Sequence, residues 1–154
     1  MMPAGTVFDC MVFVQAIASR GSAYRCLQRC LDSPEPLLVS AATLQELGTV
    51  LMRPELRRKL PGITPERVEA LMHHLAEFAY KVDPVPLIME FPPDPKDEPY
   101  LNLAIVANAR DLVTRDKAIL RLTDPSNVLS RQLTIYHPTL RILVPEALIQ
   151  PLLA

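Results

Sequence analysis

Short apolar segments alternate with helical patterns along this chain, and that alternation restricts its possible folds more than any other feature. Residues 5–8, 37–39 and 111–114 are short apolar runs of the kind that form buried strands. Helical patterns separate them, and Ser40 and Thr64 stand where helix N-caps are expected. Because parallel strands need crossover connections and are covered on both faces, the sequence predicts an α/β fold of three layers, α/β/α, with a central parallel sheet.

The rest of the chain continues this pattern. Helices are predicted directly after the first strand, after Ser40 and Thr64, at residues 22–31, 54–60 and 99–109, and from Pro145 onward. Further strands are predicted at residues 81–85, 133–136 and 141–144, and loops at residues 91–95 and 123–131. The 154 residues contain no internal repeat or linker and have the length of one ordinary domain. We therefore expect a single domain over residues 1–154.

Charge and cysteine content argue against several classes of protein. The net charge is −1, so the chain lacks the basic excess of a dedicated nucleic-acid scaffold, although an acidic cluster with a basic rim still suits a nuclease. The three cysteines have neither a disulfide framework nor the paired spacings of a zinc site, so we expect them to be small buried residues. Without a membrane-length apolar run or a signal-peptide pattern, a cytoplasmic protein is expected.

Four carboxylates are expected along one edge of the predicted sheet. Asp9 and Asp116 follow two strands, and Asp97 opens the helix before one of them. Glu46 lies one turn into a helix, about 40° from Val50, and therefore borders the buried face of that helix. Such hard oxygen ligands suit Mg²⁺ or Mn²⁺. The alternative is that each Asp is an N-cap, which helix starts also favour; Glu46, inside a helix, does not fit that alternative.

Four motifs in order resemble those of PIN domains, close to the branch described as toxin components of toxin–antitoxin systems (VapC-like ribonucleases). They cover most of residues 6–148, and the individual pieces are Val7-Phe8-Asp9-Cys10, Leu44-Gln45-Glu46-Leu47, Asp94-Pro95-Lys96-Asp97-Glu98-Pro99-Tyr100 and Leu112-Val113-Thr114-Arg115-Asp116-Lys117. The resemblance implies a PIN-like fold, metal-ligand roles for Asp9, Glu46, Asp97 and Asp116, and a supporting hydroxyl from Thr114. It also implies RNA hydrolysis that leaves a 5′-phosphate, an antitoxin partner and a homodimer.

The sequence departs from the resembling pattern at Met11. Similar proteins usually carry Asn or another small polar residue two positions after the first Asp, where it would help organise the first ligand and its water. Met11 offers no such polar group. This departure is the main support for an alternative, a PIN-like module that binds RNA or protein with weakened or absent cleavage. A phosphatase that uses Asp9 as a nucleophile is a third hypothesis; it would need a second Asp at position 11, where Met11 stands, or a Lys at a fitting strand end.

Other charged residues near these motifs have two interpretations. Asp94 is either a supporting residue of the metal site or part of a solvated acidic loop. Arg115, beside Asp116, is a candidate for binding RNA phosphate, as are Arg53 and Arg57 in the one dense basic run of the sequence; a solvated helix face is the alternative for that run. From the sequence we therefore expect a divalent-metal-dependent endoribonuclease of the PIN type.

Overall fold

The computed structural model describes residues 4–150, and its centre is a parallel sheet flanked by helices. Three strands form this sheet in the order β1-β4-β5, and β2 and β3 form a parallel pair that a single bridge from Thr6 to Leu37 connects to β1. The strands are β1 (Thr6–Phe8), β2 (Leu38–Val39), β3 (Tyr80–Lys81), β4 (Asp111–Val113) and β5 (Arg141–Leu143). The predicted α/β fold with a central parallel sheet is confirmed.

Nine helices are found within residues 4–150, and two short 3₁₀ turns, Pro95–Asp97 and Arg121–Thr123, accompany them. The helices are α1 (Cys10–Ala18), α2 (Ser22–Asp32), α3 (Ala41–Leu51), α4 (Pro54–Lys59), α5 (Pro65–Phe78), α6 (Glu98–Val106), α7 (Lys117–Leu120), α8 (Val128–Tyr136) and α9 (Pro145–Leu148). Among them, none is both long and apolar enough to cross a membrane.

The core lies on both faces of β1 and β4. Val7, Phe8, Leu112 and Val113 are each at most 1% exposed, as expected for parallel strands that helices cover on both sides. Cys10, Cys26 and Cys30 are buried and carry free thiols, in agreement with the sequence-based expectation.

Polar side chains define where the helices begin. The Ser40 hydroxyl accepts from the Thr43 amide at the start of α3, and Thr64 accepts from the Arg67 amide at the start of α5. Both predicted caps are therefore confirmed. At its other end, α6 stops because Asn108 adopts a left-handed conformation (φ 51°), and the Ala109 amide turns back to the Ala104 carbonyl at 3.0 Å. This tight ending allows β4 to start at Asp111.

The structure corrects two predicted segments in the second half of the chain. Residues 133–136 were predicted as a strand and 123–131 as a loop, but α8 begins at Val128 and extends through Tyr136. The reason is local: Asn127 caps this helix by accepting from the Leu129 amide at 2.9 Å, and Ser130 and Leu133, three residues apart, form its buried side.

A third correction concerns the edge of the sheet. The strand predicted at residues 81–85 is Tyr80–Lys81, and it ends before Pro84, which has no amide hydrogen to donate to a neighbouring strand. The helix predicted at residues 99–109 spans Glu98–Val106 instead, because the left-handed conformation of Asn108 ends it.

One buried side chain attaches the loop after β3 to α6. Asn102, 2% exposed, accepts from the Ile88 and Met89 amides at 2.8 Å each through Oδ1. Its Nδ2 donates to the carbonyls of Met89 (3.0 Å) and Glu98 (2.9 Å). All four contacts are to backbone groups, so this side chain positions the polypeptide that leads into Asp94.

We predict that Asn102→Leu destabilises the protein by about 2–4 kcal/mol, because the Ile88 and Met89 amides lose their acceptor while the site stays largely closed to water. Urea unfolding monitored by circular dichroism measures the change. Gln28→Leu, at an exposed position of α2, is the control and should change stability little. Equal effects of the two substitutions would contradict the role given to Asn102.

Candidate functional site

The candidate site lies beyond the carboxyl ends of β1 and β4, where parallel sheets commonly form binding sites. Asp9 directly follows β1, and Thr114 directly follows β4. The pairing of Phe8 with Val113 brings the two residues side by side, and the Asp9 amide donates to the Val113 carbonyl at 3.1 Å.

Both oxygens of Asp9 accept hydrogen bonds from the protein. The Val12 amide donates to Oδ1 at 3.0 Å, which caps α1, and the Thr114 hydroxyl donates to Oδ2. Burial raises the pKa of Asp9, the charge of Asp116 raises it further, and the bonds from Thr114 and Val12 act against this rise. Asp9 is thus a buried carboxylate whose orientation is fixed on both sides.

Thr114 links Asp9 to the next acidic residue. It is fully buried, and its hydroxyl donates to Asp9 while accepting from the Asp116 amide at 3.0 Å. Asp116 in turn caps α7, because its Oδ1 accepts from the Ala118 amide at 2.8 Å. The capping alternative considered for Asp9 and Asp116 is therefore correct as a description of their local contacts. Asp116 uses one oxygen in this way, so capping and ligation are compatible for it.

Asp97 differs from these two caps. It precedes α6 but makes no capping hydrogen bond with its side chain. Its Oδ2 atom is buried and has no hydrogen-bond partner within the described residues. Oxygen atoms of Asp94, Asp97 and Asp116 all lie within 4.8 Å of one another. Burial raises the pKa of Asp97 to about 8, and the contact with Asp116 and the negative charge of Asp116 add to this rise.

Asp94 belongs to this group of three through the loop that Asn102 holds. Its Oδ1 accepts from the Lys96 amide at 3.1 Å, so the residue begins the 3₁₀ turn that ends at Asp97. Asp94, a supporting residue of the metal site in one of its two sequence interpretations, thus lies directly beside Asp97 and Asp116.

Glu46 lies outside the group of three and contacts a different residue. The Tyr100 hydroxyl donates to Glu46 Oε1 at 2.6 Å. Burial, then the negative charges of Glu46 and Asp9, raises the pKa of the Cys10 thiol to about 12. Burial, then the bond to Glu46, also raises the pKa of Tyr100 far above its usual value, which keeps the hydroxyl protonated.

The donor set is suited to a hard divalent cation. Residues 4–150 contain no Lys, Arg or His in a salt bridge with Asp9, Asp94, Asp97 or Asp116. Buried Asp111, at the other end of β4, is by contrast held by Arg141 at 2.7 and 3.1 Å. A buried carboxylate without a compensating cation is costly, and oxygen ligands of this kind are those that Mg²⁺ and Mn²⁺ prefer.

Two of the three arginines predicted to bind RNA are hydrogen-bonded to other groups of the protein. Arg115 donates to Gln15 at 2.8 Å and forms an exposed two-point contact with Glu146 at 3.1 and 2.5 Å. Arg57 donates to the Leu51 carbonyl at 2.9 Å and so holds the end of α3, whereas Arg53 is exposed. Arg115 thus uses three of its five N–H donors in contacts within the protein.

The contact between Tyr100 and Glu46 was not predicted from the sequence. The available signal was a hydroxyl-bearing aromatic residue three positions after Asp97 on the same helical segment. Its partner lies 54 residues away in sequence, and no local pattern connects the two.

Comparison with known protein families agrees with this geometry. A family model described as the PIN domain matches residues 5–118, a range that includes Asp9, Glu46, Asp94, Asp97 and Asp116. Among curated proteins, no significant match is found.

We predict that Asp97→Asn stabilises the metal-free protein increasingly as the pH rises. The pKa of Asp97 is about 8 in the folded state, against 3.8 for the ordinary group. Protonated Asp97 therefore contributes to the free energy of unfolding. This contribution is fully present below pH 3.8 and is lost as the pH rises through about 8. The melting-temperature difference between variant and wild type, measured in EDTA, should grow from pH 4 to pH 8.

Asp32→Asn, at an exposed position of α2, is the matched control and should show no such trend. An Asp97→Asn variant that is less stable than wild type at every pH would indicate that the carboxylate supports the fold instead.

Proposed function

The chain belongs to the PIN-domain family, whose members are commonly nucleases, and from this membership we propose that the protein is a divalent-metal-dependent endoribonuclease. The observation that carries the proposal is the buried Oδ2 of Asp97, which has no hydrogen-bond partner among residues 4–150 and lies beside Asp94 and Asp116. An acidic residue that serves only as a helix cap has an oxygen bonded to a helix amide, as Asp9 Oδ1 is to the Val12 amide. An oxygen left free among other carboxylates favours a site for a cation.

Asp9, Glu46, Asp97 and Asp116 are the proposed ligands and catalytic residues, with Asp94 and Thr114 in supporting roles. A bound Mg²⁺ or Mn²⁺ would supply an activated water and charge stabilisation for phosphodiester hydrolysis. The protein's own contribution is orientation. Thr114 and the Val12 amide fix Asp9, and the Ala118 amide of α7 fixes Asp116. Asp97 has to lose its proton before it can act as an anionic ligand.

The substrate has to approach an acidic centre, so cations at its rim are needed to hold phosphate. Arg115, next to Asp116, and Arg53 and Arg57 beyond α3 are the proposed RNA contacts. The overall charge of −1 makes strong non-specific binding unfavourable, so we expect the RNA to be held through a few such contacts.

The motif resemblance leads us to propose in addition that the protein is the VapC-like toxin of a type II toxin–antitoxin system. The partners would be an antitoxin protein that covers the cleft and a second copy of the chain in a homodimer. A cytoplasmic location goes with this role, because the RNA substrates of such a toxin are found there.

A second candidate is a PIN-like module that binds RNA or protein and cuts weakly or not at all. The observation that favours it is the side chain of Met11, which is 45% exposed at the start of α1, two residues after Asp9. A thioether there bonds water weakly, so it would organise the waters around a hard ion less well than an amide does.

The proposed activity is tested by incubating the purified protein with a mixed RNA pool in saturating Mn²⁺. We expect fragments with 5′-phosphates, and no fragments in EDTA. Asp116→Asn should reduce cleavage to the EDTA background because it removes a negative ligand. Asp32→Asn, the matched exposed control, should cut like wild type. Metal-independent cleavage, or equal cleavage by Asp116→Asn and wild type, would exclude this catalytic site.

We predict that Met11→Asn increases metal-dependent cleavage by at least about tenfold, the lower end of what neighbouring polar groups contribute to metal sites. The same RNA assay measures it, with Asp116→Asn as the blank. If Met11→Asn cuts no better than the blank, the binding module becomes the preferred function. If wild type already cuts as fast as Met11→Asn, the site stands and position 11 has no such role.

A further inference from the structure

One hydrogen bond connects Glu46 to the core of the protein. The Tyr100 hydroxyl reaches Glu46 Oε1 at 2.6 Å, a short distance typical of a hydrogen bond to a charged acceptor. Tyr100 is 2% exposed, and its ring is held in the core by the packing of α6. A rigid donor therefore contacts a residue that is only half-buried on α3.

The position of Tyr100 on α6 relates this contact to the rest of the site. Tyr100 follows Asp97 by three residues, so the two side chains project from the same side of the helix start. Asp97 lies against Asp94 and Asp116, and Tyr100 lies against Glu46. Through Asp97 at its start and Tyr100 within it, α6 thus touches both the group of three and Glu46.

Glu46 needs such a contact more than the aspartates do. A glutamate has one more rotatable bond than an aspartate, and rotation of its carboxylate plane is broad. Asp9 and Asp116 lie next to the backbone amides that orient them. Glu46 lies inside α3, whose own amides are bonded within the helix, so its orientation has to come from another element.

From this geometry we propose that Tyr100 is a positioning residue that turns the Glu46 carboxylate toward the divalent ion, leaving Oε2 available to bind it. The inference rests on the proposed function. It assigns Tyr100 no contact with the substrate or the reacting phosphate; the residue acts through Glu46.

The competing explanation is purely structural. A buried tyrosine hydroxyl needs an acceptor, and Glu46 provides one. Under that explanation, Tyr100→Phe would lower the melting temperature and leave metal affinity unchanged. Stability alone cannot separate the two explanations, so the test has to measure metal binding.

The experiment is a Mn²⁺ titration of the full chain, followed by the electron paramagnetic resonance of free Mn²⁺. It compares wild type, Tyr100→Phe, Glu46→Gln and the double variant. Tyr100→Phe keeps the ring and removes only the hydroxyl. We expect it to weaken Mn²⁺ binding by about tenfold or more, and to add less than about twofold in the Glu46→Gln background, because coupled residues are not additive. Tyr80→Phe, at a 42% exposed position of β3, is the matched control and should bind as wild type does.

Two outcomes overturn the inference without affecting the proposed function. One is an unchanged Mn²⁺ affinity in folded Tyr100→Phe. The other is an equal loss of affinity in the wild-type and Glu46→Gln backgrounds, which would mean that the hydroxyl does not act through Glu46. A wild-type protein that binds no Mn²⁺ would instead overturn the proposed function, and this inference with it.

Discussion

The parallel pairing of β1 with β4 is the contact on which the acidic site depends. Each strand is only three residues long, and both are buried among apolar side chains on their two faces. Their register sets Phe8 against Val113, so the next residue of each strand, Asp9 and Thr114, meet at the end of the sheet. A shift by one residue would turn their side chains to opposite faces. The apolar core thus determines the register, and the register determines the geometry of the carboxylates.

The acidic residues lie next to an apolar core that disfavours charge, and the hydrogen bonds that offset this cost differ from residue to residue. Thr114 and the Val12 amide bond both oxygens of Asp9, whereas the Ala118 amide bonds one oxygen of Asp116 and Tyr100 bonds one oxygen of Glu46. Oδ2 of Asp97 is buried beside other carboxylates and has no hydrogen bond to any residue that the structure describes. Maintaining such an arrangement lowers the stability of the metal-free fold, which is the usual relation between a functional site and the stability of the protein that carries it.

The sequence predicts a residue's surroundings best where they are formed by residues close to it along the chain. The strands that precede Asp9 and Asp116 and the caps at Ser40 and Thr64 could be predicted, because apolar runs and capping residues leave short-range patterns. The Tyr100–Glu46 contact and the four bonds of Asn102 could not be, since they depend on how distant segments pack. The strand predicted at residues 133–136 is wrong: Thr134 and Ile135 are β-branched residues that favour strands, but the Asn127 cap and the burial of Ser130 and Leu133 favour a helix there.

The separation of Asp9 and Thr114 along the chain has a kinetic consequence. The two residues are 105 positions apart, so closing this contact requires one of the longest loops that the chain can form. Non-local pairings of parallel strands are slow steps in folding. Intermediates that contain α1 to α5 but have not yet docked β4 lack Thr114, Asp116 and the sheet edge that gathers the acids. The acidic centre therefore cannot assemble before β4 has paired with β1, and under the proposed function a partly folded chain without this pairing has no complete catalytic site.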